Sequence, residues 1–516
     1  MPLINVTNTG QIGINKDLSV YELPINAWTD CKNIRFLDGY AYQFFGHGEV
    51  YNSPAYIPQF VMPQVISGNR YWIYATATKQ FAVTNTGGAT VHTNISHVTP
   101  RTGVVNNWTG TSLSGIPVLN AGDGSKPITW DLNLVNKFID LVNFPPNTSC
   151  KSIRAYKNFL VALNVTVSGT NKPFLVKWSS PADPGALPST WDAADQTNDA
   201  GEVDLSDGGD VIIDGLPIRN SFMIYKQASI YRMDYVGGAF VFSFNKLAGT
   251  NGILNRNCVV EIDGNHLVLT GSDVIIHDGQ NIQSILDKMT RRYLFQNIDV
   301  DSIGLCFLFK NPFFNEVFIC YPSIGSTSCD KAIVYNYKDR TVSFRDLPNV
   351  NHADFGSVDN SLEGNWNQDS SPWSSDLTLW NGGDFTPSSA RVLMAANSLK
   401  LFLLDASSSF DGVIPDAYLE RQGLGFGDPT KIKTIRRIRP RITGNLGDTV
   451  LVYVGGSDDP YTTPTYKPAV TFTIGQTVSC DVFSSSRYPA IKFATGTAYQ
   501  WRLDSFDFDI VSGGEW

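Results

Sequence analysis

Asn33-Ile34-Arg35-Phe36-Leu37-Asp38-Gly39-Tyr40-Ala41-Tyr42-Gln43-Phe44 sets two short apolar runs on either side of Asp38-Gly39, a dipeptide that accepts the positive φ angles of a tight primed turn. This is the sequence of a β-hairpin. The same pattern returns at Tyr71–Tyr74 with Phe81–Val83, Phe159–Leu163 with Phe174–Trp178, and Phe222–Tyr225 with Ile230–Met233. It returns again at His266–Leu269 with Val274–His277, Val317–Tyr321 with Ala332–Tyr335, and Val392–Ala395 with Leu399–Leu403. Successive hairpins begin about 40 to 90 residues apart, and the widest gap holds a weaker element at Ile116 to Trp130.

A hairpin cannot bury both of its faces alone, whereas small sheets stacked radially bury one another and leave only short edges. The expectation is therefore an all-β chain built around a β-propeller, six blades preferred over seven, rather than a sandwich or solenoid. Three stretches depart from the pattern. Ile282, Ile285, Leu286 and Met289 fall at helical spacing, which predicts a helical insertion near 282–295. Residues 349–385 are rich in Asn, Asp, Ser, Gly and Trp without a sustained period and predict a long loop. From about Tyr418, strands at Thr449–Val454, Val470–Ile474 and Tyr499–Phe508 predict a β-sandwich-like domain. The resulting division is an N-terminal arm at 1–22, a propeller at 23–417 and a C-terminal β domain at 418–516.

Composition agrees with this division. Charged residues are 17% of the 516, against an average of about 25%, while 44 Gly and 27 Pro supply turns. Aromatic residues reach 12% and mix with Val, Ile and Thr, which pack well on half-buried pleated surfaces. A formal charge of -9 argues against a protein that wraps phosphates, yet lets DNA pass without sticking. Seven scattered cysteines (Cys31, Cys150, Cys258, Cys306, Cys320, Cys329, Cys480) contain no Cys-x-x-Cys pair, so buried free thiols are expected rather than disulfides or zinc. The opening Met-Pro-Leu-Ile-Asn-Val-Thr lacks a charged n-region and an apolar h-region, and no stretch approaches the length of an apolar span, so neither an export signal nor a membrane segment is expected. Asn-x-Ser/Thr sequons at Asn5, Asn94, Asn107, Asn147 and Asn164 are read as chance in an Asn/Thr-rich chain.

No catalytic constellation emerges, and neither an enzyme activity nor a cofactor is expected. The six histidines (His47, His92, His97, His266, His277, His352) never form His-Glu-x-x-His, and Gly423, Gly425 and Gly427 lack the spacing of a dinucleotide loop. Ser180, Asp183 and Trp191 only faintly resemble a sialidase Asp-box, because Trp191 comes too late. Asp204, Asp207 and Asp210 lack EF-hand spacing, so a solvated turn is favoured over a calcium site. The one concentrated charge signal is Lys431, Lys433, Arg436, Arg437, Arg439 and Arg441, six cations in eleven residues. Alternation would put all but Arg436 on one face of a strand, a geometry suited to an acidic partner or a row of DNA phosphates. An edge strand protected by charge is the alternative.

Leu23-Pro24-Ile25-Asn26-Ala27-Trp28-Thr29-Asp30-Cys31-Lys32-Asn33-Ile34-Arg35-Phe36, running on to Gly46, is similar to segments of the tail nozzle (hub) proteins of short-tailed phages. Leu419-Glu420-Arg421-Gln422-Gly423-Leu424 and Trp501-Arg502-Leu503-Asp504-Ser505-Phe506 resemble the C-terminal part of the same proteins. The resemblance implies a six-bladed propeller with added β domains, assembled as a hexamer below the adaptor (head-to-tail connector) ring. It further implies a virion protein, made in the bacterial host cytoplasm, whose partners include the adaptor, tail fibre or spike proteins, and double-stranded DNA in transit without sequence-specific contact. An acidic lumen would let DNA slide. Two other readings stay open: a carbohydrate-active propeller with an acidic pair in a central pocket, and a receptor-binding fibre or spike protein.

Overall fold

The computed structural model describes residues 3–66, 69–86, 89–247, 249, 251–358, 390–497 and 500–515. All seven hairpins form, the first with Asp38 and Gly39 at φ 51° and 80°. The other six are each the middle pair of a larger meander. Middle strands are covered on both faces, so their sequences read as continuous apolar runs, whereas the outer strands carry polar residues and hide in the sequence. Five separate four-stranded antiparallel sheets result, spanning 60–94, 109–140, 148–204, 212–246 and 259–284. The weak element at Ile116 to Trp130 supplies the middle strands of the second.

A seven-stranded sheet follows, and Thr341–Ser357 is its hinge. The first half of this strand pairs with Cys329–Asn336 and the second half with Ala390–Ala396, the register shifting between Val350 and His352. Gly46–Val50, from the far end of the sequence, closes the outer edge beside Leu401–Ser407. The first strands of successive sheets lie next to one another. Between the first two sheets, the ring of Phe60 fills the space over Gly110, where a Cβ would stand 2.9 Å from it.

Two six-stranded sheets make a separate layer pair from both ends of the chain. One holds Ile34–Leu37, Tyr40–Gln43, Trp501–Glu515, Lys431–Gly444 and Cys480–Ser486, with Leu3–Val6 alongside. The other holds Asp30–Lys32, Tyr418–Arg421, Tyr488–Thr495, Thr449–Ser457 and Thr465–Tyr466, with Val470–Thr473 alongside. Trp28 sits between them, 6.4 Å from the Phe493 ring and 6.1 Å from Phe506, and donates its indole N–H to the Thr9 carbonyl at 2.6 Å.

Four expectations change. The 33–44 hairpin pairs with Trp501–Glu515 and not with the four-stranded series, so the boundary at residue 23 falls inside the two-sheet layer. The 1–22 arm is not separate either, since Leu3–Val6 completes a ladder with Phe506–Asp509. Ile282–Ser284 is the fourth strand of its sheet, and the helix is Lys288–Asn297, opened by Asp287 accepting from the Thr290 amide at 2.6 Å. The apolar spacing at 282–289 had merged a strand with a helix. Finally, the long loop expected at 349–385 begins as regular strand through Ser357, and its remainder from 359 lies outside the described residues.

Buried charge joins the layer pair to the sheet series. Arg35 donates to Glu316 through Nε at 2.7 Å and Nη2 at 2.9 Å, and to Asp405 at 2.6 Å. Arg345 holds the other Asp405 oxygen at 2.8 Å and the Phe45 carbonyl at 2.8 Å. All four ionic side chains are buried, and Arg35 lies 3.7 Å over the Phe314 ring. Burial opposes ionisation of Asp405, but the flanking Arg35 and Arg345 hold its carboxyl below the usual range.

Because Trp28 binds the N-terminal segment to the C-terminal strands, Trp28→Ala is expected to cost about 3–5 kcal/mol. Urea unfolding of the whole chain would report it; an unchanged midpoint would show that the two ends fold without this contact.

Candidate functional site

Lys431–Gly444 is an inner strand, bonded to Trp501–Glu515 on one side and Cys480–Ser486 on the other. The edge-strand alternative is thereby corrected. So is the single basic face: the register shifts between Ile435 and Arg437, which inverts the alternation. Lys433 falls on the inward side with Ile435, 3% exposed, where its Nζ donates to the Arg487 carbonyl at 2.9 Å. Burial lowers its ammonium below the usual range.

Beyond the shift, Ile438 and Pro440 point inward and Arg437, Arg439 and Arg441 outward, opposite Asp509, Asp507 and Ser505 of the neighbouring strand. Arg437 meets Asp481 at 2.5 Å, Arg441 meets Asp507 at 2.7 Å, and Lys431 meets Asp428 at 3.1 Å. Arg436 is exposed. Lys431, Arg437 and Arg441 thus meet aspartates of their own protein and Lys433 is buried, which leaves less positive field for phosphate than the number of cations suggests. Exposed pairs of this kind contribute only about 0–1 kcal/mol each.

A second site was not read from the sequence. The first strands of all the sheets outside the layer pair surround a cavity of about 510 Å³. Glu261, Lys310 and Asp354 stand on three neighbouring strands of its lining, and Phe60 and Met62 on the next, where the Phe60 ring lies 4.4 Å from His352. Lys310 donates to the Glu261 carbonyl at 3.0 Å and its carboxylate at 3.3 Å. Burial pushes the Asp354 carboxyl up to about 6, against the bond from the Phe355 amide and the pull of Lys310 and Arg154. Arg154 is already neutralised, its guanidinium reaching Asp214 at 2.6 and 3.0 Å. His352, 8% exposed, accepts from the Val61 amide at Nδ1, and its neutral ring therefore carries its proton on Nε2.

Behind this wall runs a buried chain of hydrogen bonds whose directions are fixed by its ends. Gly279 N–H donates to His277 Nδ1, so His277 Nε2–H donates to Tyr225 Oη at 2.8 Å. Tyr225 then donates to His266 Nδ1 at 2.6 Å, and His266 Nε2–H donates to the Pro217 carbonyl at 2.9 Å. Every polar atom in the chain is satisfied. The sequence held one signal for it: the 266–277 hairpin puts the two histidines directly opposite.

The remaining flagged residues serve packing. Asp210 receives the buried Lys226 ammonium at 2.8 Å. Trp191 packs edge-on against Phe144 at 5.0 Å, and Ser180 lies 3.1 Å from Ser189. The seven thiols are free and buried, and among the described residues no cluster of His, Cys, Asp or Glu could hold a metal. Also among the described residues, no helix is long and apolar enough to cross a membrane.

No family model and no curated protein matches the chain. Among solved structures it is similar to PorZ, a bacterial surface component of the type-IX secretion system of Porphyromonas gingivalis, with 8% identity and a TM-score of 0.38. That match covers 84% of this chain and 46% of PorZ, so the chain spans about half the length of the PorZ chain.

Burial lowers His266 and His352 to about 3 and His277 to about 4. A histidine depressed in the folded state contributes stability that is full above its unfolded value near 6.5 and is lost as pH falls, by about 1.4 kcal/mol per unit. His352→Asn keeps an acceptor for the Val61 amide but cannot titrate. Between pH 7 and pH 5 its stability should therefore fall by about 2 kcal/mol less than that of the unsubstituted chain. Equal losses in denaturant titrations would contradict a neutral, buried His352.

Proposed function

We propose that the chain is a non-enzymatic structural subunit of the tail nozzle of a short-tailed phage. Six copies form a ring below the adaptor that serves as conduit or gate for DNA ejection. The observation that carries this reading is where the nozzle-like segments lie. Residues 23–46, 419–424 and 501–506 are far apart in sequence, yet Cys31 pairs with Leu419 and Ala41 with Leu503. The resemblance therefore concerns one contiguous structural unit rather than three unrelated matches.

In this reading the remaining sheets are a propeller of seven blades rather than six. Five blades are the four-stranded sheets, and the seven-stranded sheet supplies two, with Thr341–Ser357 serving as the last strand of one and the first of the next. Gly46–Val50 is the fourth strand of the final blade, so an N-terminal strand closes the circle. Acidic balance supports passage of DNA over retention, because the basic strand is offset by its own aspartates. The second reading, a carbohydrate-active propeller, is favoured by the presence of Glu261 and Asp354 in one cavity.

Electron microscopy of the assembled protein tests the proposal. A closed sixfold ring with an axial channel is the expected result, and a monomer or trimer would overturn it. Glycan hydrolysis that disappears in Asp354→Asn would instead favour the second reading.

A further inference from the structure

We propose that the central cavity is a binding site for a neutral hexopyranose, held by hydrogen bonds from Asp354, Lys310 and His352 and packed against the apolar side chains beside them. The site does not depend on ring assembly. Its volume of about 510 Å³ lies within the usual range of small-molecule pockets, and its lining, mostly apolar with a few convergent polar groups, is the composition such pockets share.

Besides the exposed Arg219, three polar positions in the cavity remain open among the described residues. Asp354 uses one carboxylate oxygen on the Phe355 amide and keeps the other as an acceptor. Lys310 has three N–H donors and spends two on Glu261. His352 bonds through Nδ1 only, leaving Nε2–H as a donor from a ring that lines the cavity. Beside them, on the strand that packs against that of His352, stand Phe60, whose ring is 4.4 Å from the His352 ring, and Met62.

Charge narrows the ligand class. The lining's cations are matched in number by carboxylates, Lys310 by Glu261, Arg154 by Asp214 and the exposed Arg219 by Asp354, so no net positive charge selects phosphate or carboxylate. What fits is a neutral molecule that both donates and accepts, with an apolar face for the Phe60 ring. A sugar hydroxyl does both, and the C–H face of a pyranose packs on aromatic carbon.

Saturation-transfer NMR on the full chain with glucose, galactose, mannose and N-acetylglucosamine, each in turn, is the test. At least one should receive saturation, and it should shift the ring nitrogen resonances of His352 in the unsubstituted protein. Asp354→Asn and Lys310→Met should each weaken binding roughly tenfold, the scale of one lost hydrogen bond to a charged group. Lys126→Ser, in a separate polar groove lined by Arg101 and Asp140, should leave it unchanged. Silence from all four sugars would overturn the proposal. So would transfer without movement of the His352 resonances, or transfer lost on changing Lys126.

Discussion

Two arginines and two carboxylates, Arg35, Arg345, Glu316 and Asp405, are removed from water together at the junction of the two halves of the molecule. Isolated, any one of them would be too costly to bury; as a set, their charges cancel and the bidentate geometry satisfies most of their hydrogen-bonding capacity. Each comes from a different strand: Ile34–Leu37, Glu316–Tyr321, Thr341–Ser357 and Leu401–Ser407. The first belongs to the two-sheet layer and the other three to the seven-stranded sheet. Removing any one member would strand a buried charge, so the cluster constrains how the layers meet. Hydrophobic burial alone, being non-directional, would leave that angle free.

The chain's path makes the junction do double duty. Only ten residues separate Arg35 from Gly46–Val50, the edge strand of the last sheet. One N-terminal stretch thus builds part of the two-sheet layer, supplies Arg35 to the cluster and adds the edge strand of the seven-stranded sheet. Other charges are likewise paired within the molecule, at Arg154 with Asp214, Lys226 with Asp210, Arg437 with Asp481 and Arg441 with Asp507. The exposed arginines thus offer less positive field than their number suggests.

The hairpins were legible because middle strands are buried on both faces and read as apolar runs. Their outer partners were not, since Ile139–Asp140 and Gly201–Glu202 lie in surface strands without a distinctive pattern. The helix was misplaced because Ile282 and Ile285 satisfy a helical spacing while Ile282 pairs with His277 as strand. The basic strand was found, but its facing was wrong: a one-residue register shift inverts every side chain beyond it, and nothing in Thr434-Ile435-Arg436-Arg437 announces a bulge. The cavity was illegible for a different reason. Phe60, Glu261, Lys310 and Asp354 are brought together by strands of several different sheets, a relation no local window contains.

The dependence of the two halves on the buried cluster can be measured by a double-mutant cycle with Arg35→Met and Asp405→Leu, read by urea unfolding. If the cluster acts as a unit, each single change strands a buried charge, and the double change costs less than the sum of the two by about 2–3 kcal/mol. Additive losses, within about 0.5 kcal/mol, would contradict the account and show that the halves are joined by packing alone.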